Sequence, residues 1–460
     1  MSLKPYKTTF AGWGRYPTVT GLGLKSEDLV RITENAALSR GLGRSYGDCS
    51  LPADELRPVV ETTMADRLLQ FDPSTGTLRA EAGLSLRELN RIFLRRGWFT
   101  PVTPGTQMVT LGGMVASDVH GKNHHVDGCF GEHVDGLKMR VADGRIIECS
   151  DQQEAELFRA TIGGMGLTGH ILEVEFRMQR IPTPWIWRES RRMDNLDDMI
   201  AGLKEAAAGW PMTVGWIDCL AKGSSLGRGI LIRGRWAQPR EAPEAPPGRK
   251  RRFRVPMQLP NLALCRPSMK AFNLAYYWKH IQRESRGIEH PETFFYPLDS
   301  LDDWNLIYGR RGFTQYQCLL PHAEDNGPAR RFLNLFISGG GMGFLCVIKD
   351  CGPQGKGTLS FPRPGISIAM DFPIHAKKTQ PFVDSLNELV IAEGGRIYLT
   401  KDAFTRAEHF RAMEPRADAF NAVRRRWDPQ AKLRSALSVR LLGDSQASFS
   451  GTGKFHKLKG

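Results

Sequence analysis

What this 460-residue chain lacks narrows its function before any motif is read. Its eight cysteines (Cys49, Cys129, Cys149, Cys219, Cys265, Cys318, Cys346 and Cys351) are scattered, with no CxxC pair and no His/Cys cluster at zinc spacing. That argues against a zinc module and for unpaired, mostly buried thiols in a reducing compartment. No run of eighteen apolar residues occurs, and the first twenty residues hold no apolar stretch of the signal-peptide kind. Neither a membrane span nor a secretory signal is therefore expected, and the expected location is cytoplasmic or peripheral on the inner membrane, the periplasmic face staying open. Zinc-finger spacing, RNA-recognition signatures and repeats are also missing, so nucleic acid is not an expected partner. Acidic residues are short: 49 Asp and Glu stand against 63 Lys and Arg, a formal net charge of +14. Such an excess attracts something anionic, which leaves a phospholipid surface or a phosphorylated substrate. With 41% hydrophobic and 24% charged residues the composition is that of a globular protein, and the length suits two or three domains.

Residues 29 to about 180 alternate short β-rich runs with glycine turns and helical pieces, as in Arg57-Pro-Val-Val-Glu-Thr62 and Leu84-Ser-Leu-Arg-Glu-Leu-Asn-Arg-Ile-Phe-Leu94. Asp143-Gly144 between two apolar runs signals a hairpin. The punctuation changes at Ile181-Pro-Thr-Pro-Trp185, which sets a boundary near residue 182. Strands are expected near 213–220, 229–236, 315–320 and 344–349, and the fold class is α+β. Residues 238–260 are proline-rich and carry a basic run through Arg251, Arg252 and Arg254, so a mobile loop is expected there. The aromatic, apolar segment at 262–280 follows, and the pair could lie on an anionic membrane surface or form a solvated loop and a core helix. The triple arginine Arg424-Arg-Arg426 reads as a helix face or a salt-bridge cluster, and the tail 445–460 as frayed.

Chemistry concentrates in Thr110-Leu-Gly-Gly-Met-Val-Ala-Ser-Asp-Val-His-Gly-Lys-Asn-His-His125, where Gly112, Gly113 and Gly121 permit close backbone approach to a flat or phosphorylated ligand. Gly41-Leu-Gly-Arg-Ser-Tyr-Gly-Asp48, Pro104-Gly105-Thr106 and Gly163-Gly-Met-Gly-Leu-Thr-Gly169 add three further glycine loops. Backbone amides in such loops hold a pyrophosphate, and together they suit one extended dinucleotide or are unrelated turns. His120, His124, His125 and His133 raise a metal reading, but HxxxH without a zincin Glu or third ligand is poor support, and no metal is expected. Lys122 and Lys401 are exposed, or else stabilise negative charge beside a redox cofactor.

These segments in this order resemble the vanillyl-alcohol-oxidase type of FAD-binding family, and within it the flavoprotein oxidase subunits of decaprenylphosphoryl-β-D-ribose 2′-epimerases. The resemblance runs nearly end to end, through residues 40–48, Val119-His-Gly-Lys-Asn-His-His125, residues 163–169, Gln315-Tyr-Gln317, Leu359-Ser-Phe-Pro362, Met370-Asp-Phe-Pro-Ile374 and Tyr398-Leu-Thr-Lys-Asp402. It implies a two-domain PCMH-type fold: an FAD-binding domain (1–182), a substrate domain on an antiparallel sheet (183–395), and a C-terminal segment (396–460) returning to the first. For FAD it implies Gly41, Leu42, Gly43, Arg44, Ser45, Tyr46 and Gly47 at the diphosphate. Gly105, Thr110, Leu111, Gly112, Gly113, Ser117, Asp118, Val119 and His120 follow along the rest, with Ile171 and Tyr398 completing the pocket. Many relatives tether flavin through a histidine in the first loop; Tyr46 stands here, so non-covalent FAD is expected. The implied reaction oxidises the ribose 2′-hydroxyl of a polyprenylphosphoryl-pentose to a ketone. Lys401 and His120 would be catalytic, either one the proton acceptor, while Tyr46, Lys122, Trp216, Gln315, Gln317 and Lys349 would face the substrate. A separate NADH-dependent reductase would complete the epimerisation that supplies arabinose for cell-envelope glycan, and the enzyme would sit peripherally on a membrane. Well-known members carry cysteine where this chain has Ala369, so thiol-bonding inhibitors should not attach there. The alternatives are an FAD-dependent oxidase or dehydrogenase of a soluble sugar, polyol or aldonolactone, and a non-catalytic scaffold.

Overall fold

A computed structural model describes residues 4–248, 250–260 and 264–445. The tail beyond 445, part of the stretch read as frayed, lies outside the described residues. The chain opens with a four-stranded sheet of β1 (Tyr6–Ala11), β2 (Thr18–Lys25), β3 (Leu38–Arg40) and β4 (Val59–Glu61), in which β4 lies between β2 and β3. β5 (Leu68–Asp72) and β6 (Thr77–Glu81) start a second sheet, and the short β7 (Trp98–Phe99) follows the helix Leu86–Phe93. That helix begins at Ser85, whose hydroxyl accepts from the Glu88 amide. β8 (Val134–Arg140), β9 (Ile146–Cys149) and β10 (His170–Arg177) complete an antiparallel sheet ordered β5-β6-β10-β8-β9. β8 and β9 form the hairpin signalled by Asp143-Gly144, with Gly144 at φ +96°. Leu78, Leu137, Met139, Val174 and Phe176 turn inward from this sheet onto Leu86, Leu89 and Phe158, as period-two alternation requires.

β11 (Gln179–Arg180) pairs with β7, and from there the pattern changes. β12 (Ile186–Met193), β13 (Met212–Ile217) and β14 (Gly229–Trp236) begin a large sheet, and β15 (Phe253–Arg254) is a two-residue strand in the proline-rich loop. β16 (Glu284–Glu289), β17 (Leu301–Asp302), β18 (Phe313–Leu320), β19 (Cys346–Cys351), β20 (Gly365–Pro373) and β21 (Arg396–Ile397) follow. Eight of these form one sheet ordered β16-β12-β14-β13-β19-β20-β18-β21, and its internal pairs are antiparallel. The four strands expected here form, displaced by one or two residues at their ends. β13 and β18 are buried along their whole length, so their sequences are near-continuously apolar rather than alternating. One face is closed by the helices Leu196–Ala207, Gly327–Ser338 and Thr379–Ala392, through Leu196, Met199, Phe332, Phe336 and Leu386. The other face carries the site.

The last helices pack back across the first sheets. Arg440 pairs with both Asp48 and Asp402 at 2.8 Å, and the Ala436 amide donates to the Leu51 carbonyl at 2.9 Å. Of the triple arginine on Ala417–Trp427, Arg424 is buried against Asp444, Leu167 and Leu433, and Arg426 pairs with Glu156 at the surface. It is the salt-bridge cluster. The cysteines are all unpaired, and only Cys265 is not buried. No helix among the described residues is long and apolar enough to cross a membrane.

Candidate active site

Between the glycine loops and the free face of the large sheet lies a cavity of about 840 Å³. Its floor is a row of alternate residues in register: Gln315 and Gln317 (β18), Ala369 (β20), Val347 and Lys349 (β19), Val214 and Trp216 (β13), Ile232 (β14) and Arg188 (β12). At about 4.8 Å per strand spacing the floor spans roughly 24 Å. The roof is made by residues 39–46, 103–106, 108–110 and 112–122.

Of the residues singled out in the sequence, Gly41, Leu42, Gly43, Arg44, Ser45, Tyr46, Gly105, Thr110, Gly112, Gly113, Ser117, Val119, His120, Ile171 and Tyr398 all line this one space. Lys122, Trp216, Gln315, Gln317, Lys349 and Lys401 do so too. Three do not reach it. A Cβ on Gly47 would lie 1.7 Å from the Asp402 carbonyl oxygen, so that residue is pinned against the chain after Lys401. Leu111 points into the core beneath the helix Leu111–Ala116, and Asp118 turns away to accept from the Gly131 amide at 2.9 Å and from the Ser360 hydroxyl. Gly121 also differs from expectation: a Cβ there would meet Asn123 Oδ1 and the Thr103 carbonyl, so its bareness serves loop packing.

The roof is held by its own backbone. Gly43 sits at φ +64°, a left-handed turn that L side chains resist. The Ser45 carbonyl accepts from Trp13 N at 2.7 Å and Tyr46 N donates to the Thr400 carbonyl at 2.9 Å. Thr110 caps the helix Leu111–Ala116 by accepting from Gly113 N. This wall fits FAD: it is long, glycine-lined, and supplies amides rather than side chains along most of its length. Two side-chain atoms are buried there without partners, Arg44 Nε and His120 Nδ1, both in cavity-lining residues. The Arg44 guanidinium stacks 3.9 Å over Trp13.

At one end of the floor Lys401 places its ammonium 4.0 Å from the Tyr46 ring centroid. Asp371, fully buried and opposite Gln315 in the β18–β20 register, accepts from Gln315 Nε2 through Oδ1 and has no partner for Oδ2. Burial pushes the Asp371 carboxyl up, opposed by Gln315 and by the Lys401 charge. Burial pulls Lys401 down, opposed by Asp371 and reinforced by Lys349. Gln317 Nε2 donates to His120 Nε2 at 3.0 Å and to Ser367 Oγ at 3.2 Å. His120 is held well below its usual range by burial, then by Lys349, His124 and Lys401, so it is a neutral imidazole whose proton lies on Nδ1. Tyr398 donates to the Ser117 carbonyl at 2.7 Å and stacks on Phe361.

Beyond Lys349, whose Nζ reaches the Gly121 carbonyl at 3.4 Å, Lys122 is wholly enclosed. Its ammonium donates to the Phe295 carbonyl at 3.2 Å, and burial, then Lys349, lowers it to about 7, with Glu289 opposing. His124 and His125 are supports: His124 Nδ1 accepts from Gly352 N at 3.0 Å, and His125 Nε2 meets the Trp210 carbonyl at 2.8 Å. No metal-holding group of His, Cys, Asp and Glu occurs among the described residues. The sequence reading missed Asp371, Arg188, Glu289 and Tyr276. Asp371 stood inside a quoted motif, Met370-Asp-Phe-Pro-Ile374, and a carboxylate in an otherwise apolar strand was the available signal.

The FAD binding domain family matches residues 29–150. Over 465 aligned residues, 96% of this chain and 99% of the relative, the chain is 34% identical to decaprenylphosphoryl-beta-D-ribose oxidase of Mycolicibacterium smegmatis. Shorter matches reach a putative D-arabinono-1,4-lactone oxidase of Neurospora crassa, 28% identical over 32% of this chain and 26% of that protein, and L-gulonolactone oxidase of Bos taurus, 31% identical over 29% and 31%. The lactone oxidases share the glycine-loop region, whereas the first relative is matched across the sheet floor as well. A glycine-walled cavity closed by a lysine- and glutamine-bearing sheet, and similarity over the whole length of both chains, make this an FAD-dependent oxidoreductase that belongs to the decaprenylphosphoryl-β-D-ribose oxidase family.

Proposed function

We propose that the protein oxidises the 2′-hydroxyl of a polyprenylphosphoryl-β-D-ribose to the 2′-ketone. The observation that carries this reading is the pairing of a flavin-sized roof with a floor that holds three buried lysines, Lys122, Lys349 and Lys401, in one cavity. A neutral sugar or lactone needs no such charge, and a phosphorylated one does.

FAD, when bound, supplies the hydride acceptor for the carbinol carbon. The chain's own residues manage the proton. Lys401, lowered by burial, has an appreciable neutral fraction near neutral pH and takes the hydroxyl proton on Nζ. The resulting ammonium is stabilised by Asp371 and faces the Tyr46 ring. His120 is a weak base with Nε2 occupied by Gln317, so its role is to donate from Nδ1 and orient. Gln315, bonded to Asp371, and Gln317, bonded to His120 and Ser367, are held in fixed rotamers at the sugar. Residues 39–46, 369 and 398 exclude water from this end.

The ketone is consumed by a separate nicotinamide-dependent reductase. The substrate is presented at a bilayer: Phe253, Met257, Phe272, Leu274, Trp278 and Ile281, all exposed, stand among Arg251, Arg252, Arg254, Lys270 and Lys279. Cosedimentation with anionic vesicles, weakened by Trp278→Ser with Ile281→Ser, is the expected result. The deciding experiment mixes the flavoprotein anaerobically with a polyprenylphosphoryl-ribose, with free pentoses and with aldonolactones. Bleaching by the first alone is expected; bleaching by a lactone alone would move the protein to the soluble-substrate class.

A further inference from the structure

The cations on the outer strands of the large sheet are, with few exceptions, matched one to one. Arg233 pairs with Glu189, and Arg235 with Glu241, in bidentate or doubled contacts. Arg228, in the turn before β14, pairs with Asp218 in the same way. The end of the cavity under Arg188 breaks that bookkeeping. Here Lys122, Arg188 and Lys279 all line the space, and Glu289 is the one carboxylate with them. Glu289 meets Arg188 at 3.4 Å; among the described residues Lys122 and Lys279 have no ion-pair partner. His280 joins them, with Nδ1 at 3.2 Å from the Tyr276 carbonyl and burial, then Arg188 and Lys279, keeping it neutral. An enclosed surplus of positive charge is costly in the empty protein and is relieved by an anion from outside.

We propose that this end of the cavity, bounded by Lys122, Arg188, Lys279 and His280, is the seat of the substrate's phosphodiester, with Arg188 the specificity-determining residue. The assignment rests on the reading that the substrate is a phosphorylated pentose. The chemistry fits on three counts. A phosphodiester carries one negative charge and two non-bridging oxygens, and the planar guanidinium of Arg188 offers paired donors at matching spacing. The sugar end of the floor, Gln317, Ala369 and Lys349, lies three to five strands from Arg188, and Lys122 bridges the interval next to Gly121, whose carbonyl receives Lys349. Arg188 and Glu289 are each a quarter exposed, and Tyr276, Trp216 and Phe272 stand beside them, with Trp216 and Tyr276 ring centroids 4.5 Å apart. An apolar chain leaving the phosphate therefore has an aromatic wall to follow outward.

The test uses flavin-loaded protein and three substrates: a short polyprenylphosphoryl-β-D-ribose, ribose 1-phosphate, and an alkyl β-ribofuranoside without phosphate. Arg188→Gln should raise KM for both phosphorylated substrates by about 10- to 100-fold, with a much smaller change in kcat and with the residual kcat/KM on the furanoside changed by less than about threefold. A prenyl contribution would appear as a wild-type preference for the lipid over ribose 1-phosphate. Glu289→Gln should act in the opposite sense and lower KM for the phosphorylated substrates. Equal losses on all three substrates, an unchanged KM in Arg188→Gln, or a raised KM in Glu289→Gln would overturn the assignment. If wild-type flavin is not bleached by the lipid substrate at all, the functional reading itself fails; normal wild-type bleaching with an indifferent Arg188→Gln removes only the phosphate seat.

Discussion

The roof and the floor of the cavity meet charge by different means. The roof is backbone: a left-handed turn at Gly43, carbonyls and amides locked by Trp13 and Thr400, and one arginine stacked on an indole with Asp299, Asp302 and Asp303 near it. The floor is side chain: lysines in a sheet face, two of them without a carboxylate in ion-pair contact. Backbone donors cost little when no ligand is present, because they are neutral; buried ammonium groups cost several kcal/mol and repay it on binding an anion or accepting a proton. The roof is thus built for a resident cofactor and the floor for a ligand that comes and goes.

The comparison breaks first at Lys401. Lys401→Met should lower kcat by about 10²–10³ while leaving flavin content and melting temperature close to wild type, because the group works only while negative charge and a proton are moving. A variant that turns over normally would show that the floor's lysines are not reaction machinery. Next comes the roof. Gly43→Ala forces a Cβ into the left-handed region and to 2.3 Å from Arg40 Nη2, and should weaken flavin binding about tenfold or more, measured by release on dilution, with KM for substrate on the fully loaded fraction unchanged. Equal damage to substrate binding would mean that the two walls are one unit.

The roof was legible in the sequence and the floor was not, for a physical reason. Loops 41–46 and 110–122 carry their function locally, so glycine spacing, the capping threonine and the HGK string expose them. Even there adjacency misleads: within Leu111–Ala116 the two glycines face the cavity while Leu111 faces the core, and Asp118 turns under Gly131, because helical rotation decides direction and sequence neighbours do not share it. The floor is assembled by register among strands up to 180 residues apart. Asp371 matters because it pairs across from Gln315, and Arg188 because five other strands separate it from Gln317 in one sheet. The expected strands gave the material of that floor, and only the strand order gave its sequence of side chains.

A smaller effect tests how the floor sets its own protonation. The Asp371 carboxylate favours the charged form of Lys401, so it raises the lysine pKa above what burial alone would leave. If neutral Lys401 is the base, kcat/KM rises with pH through that pKa. Asp371→Asn removes the counter-charge, Lys401 then loses its proton at lower pH, and the acid limb of the profile should move downward while the plateau falls only severalfold. An unmoved limb, or one displaced upward, would separate the two groups.

The smallest effect is on stability and reads the cost of the floor directly. Lys122 is lowered to about 7 in the folded protein against an ordinary value of 10.5. Between those values the unfolded chain holds a proton that the folded chain lacks, so stability contributed at this site rises with pH across that window, and below pH 7 the full penalty of a buried ammonium is present. Lys122→Met deletes the penalty and keeps the volume. In flavin-loaded, substrate-free protein it should raise the melting temperature by a few degrees at pH 6, and the gain should shrink steadily as pH climbs toward 10. A gain independent of pH would point to better packing against Phe294 and Phe295 instead, and a loss would mean that the Phe295 carbonyl and the two ring faces already satisfy the ammonium. In either case the floor would not carry the unspent charge that distinguishes it from the roof.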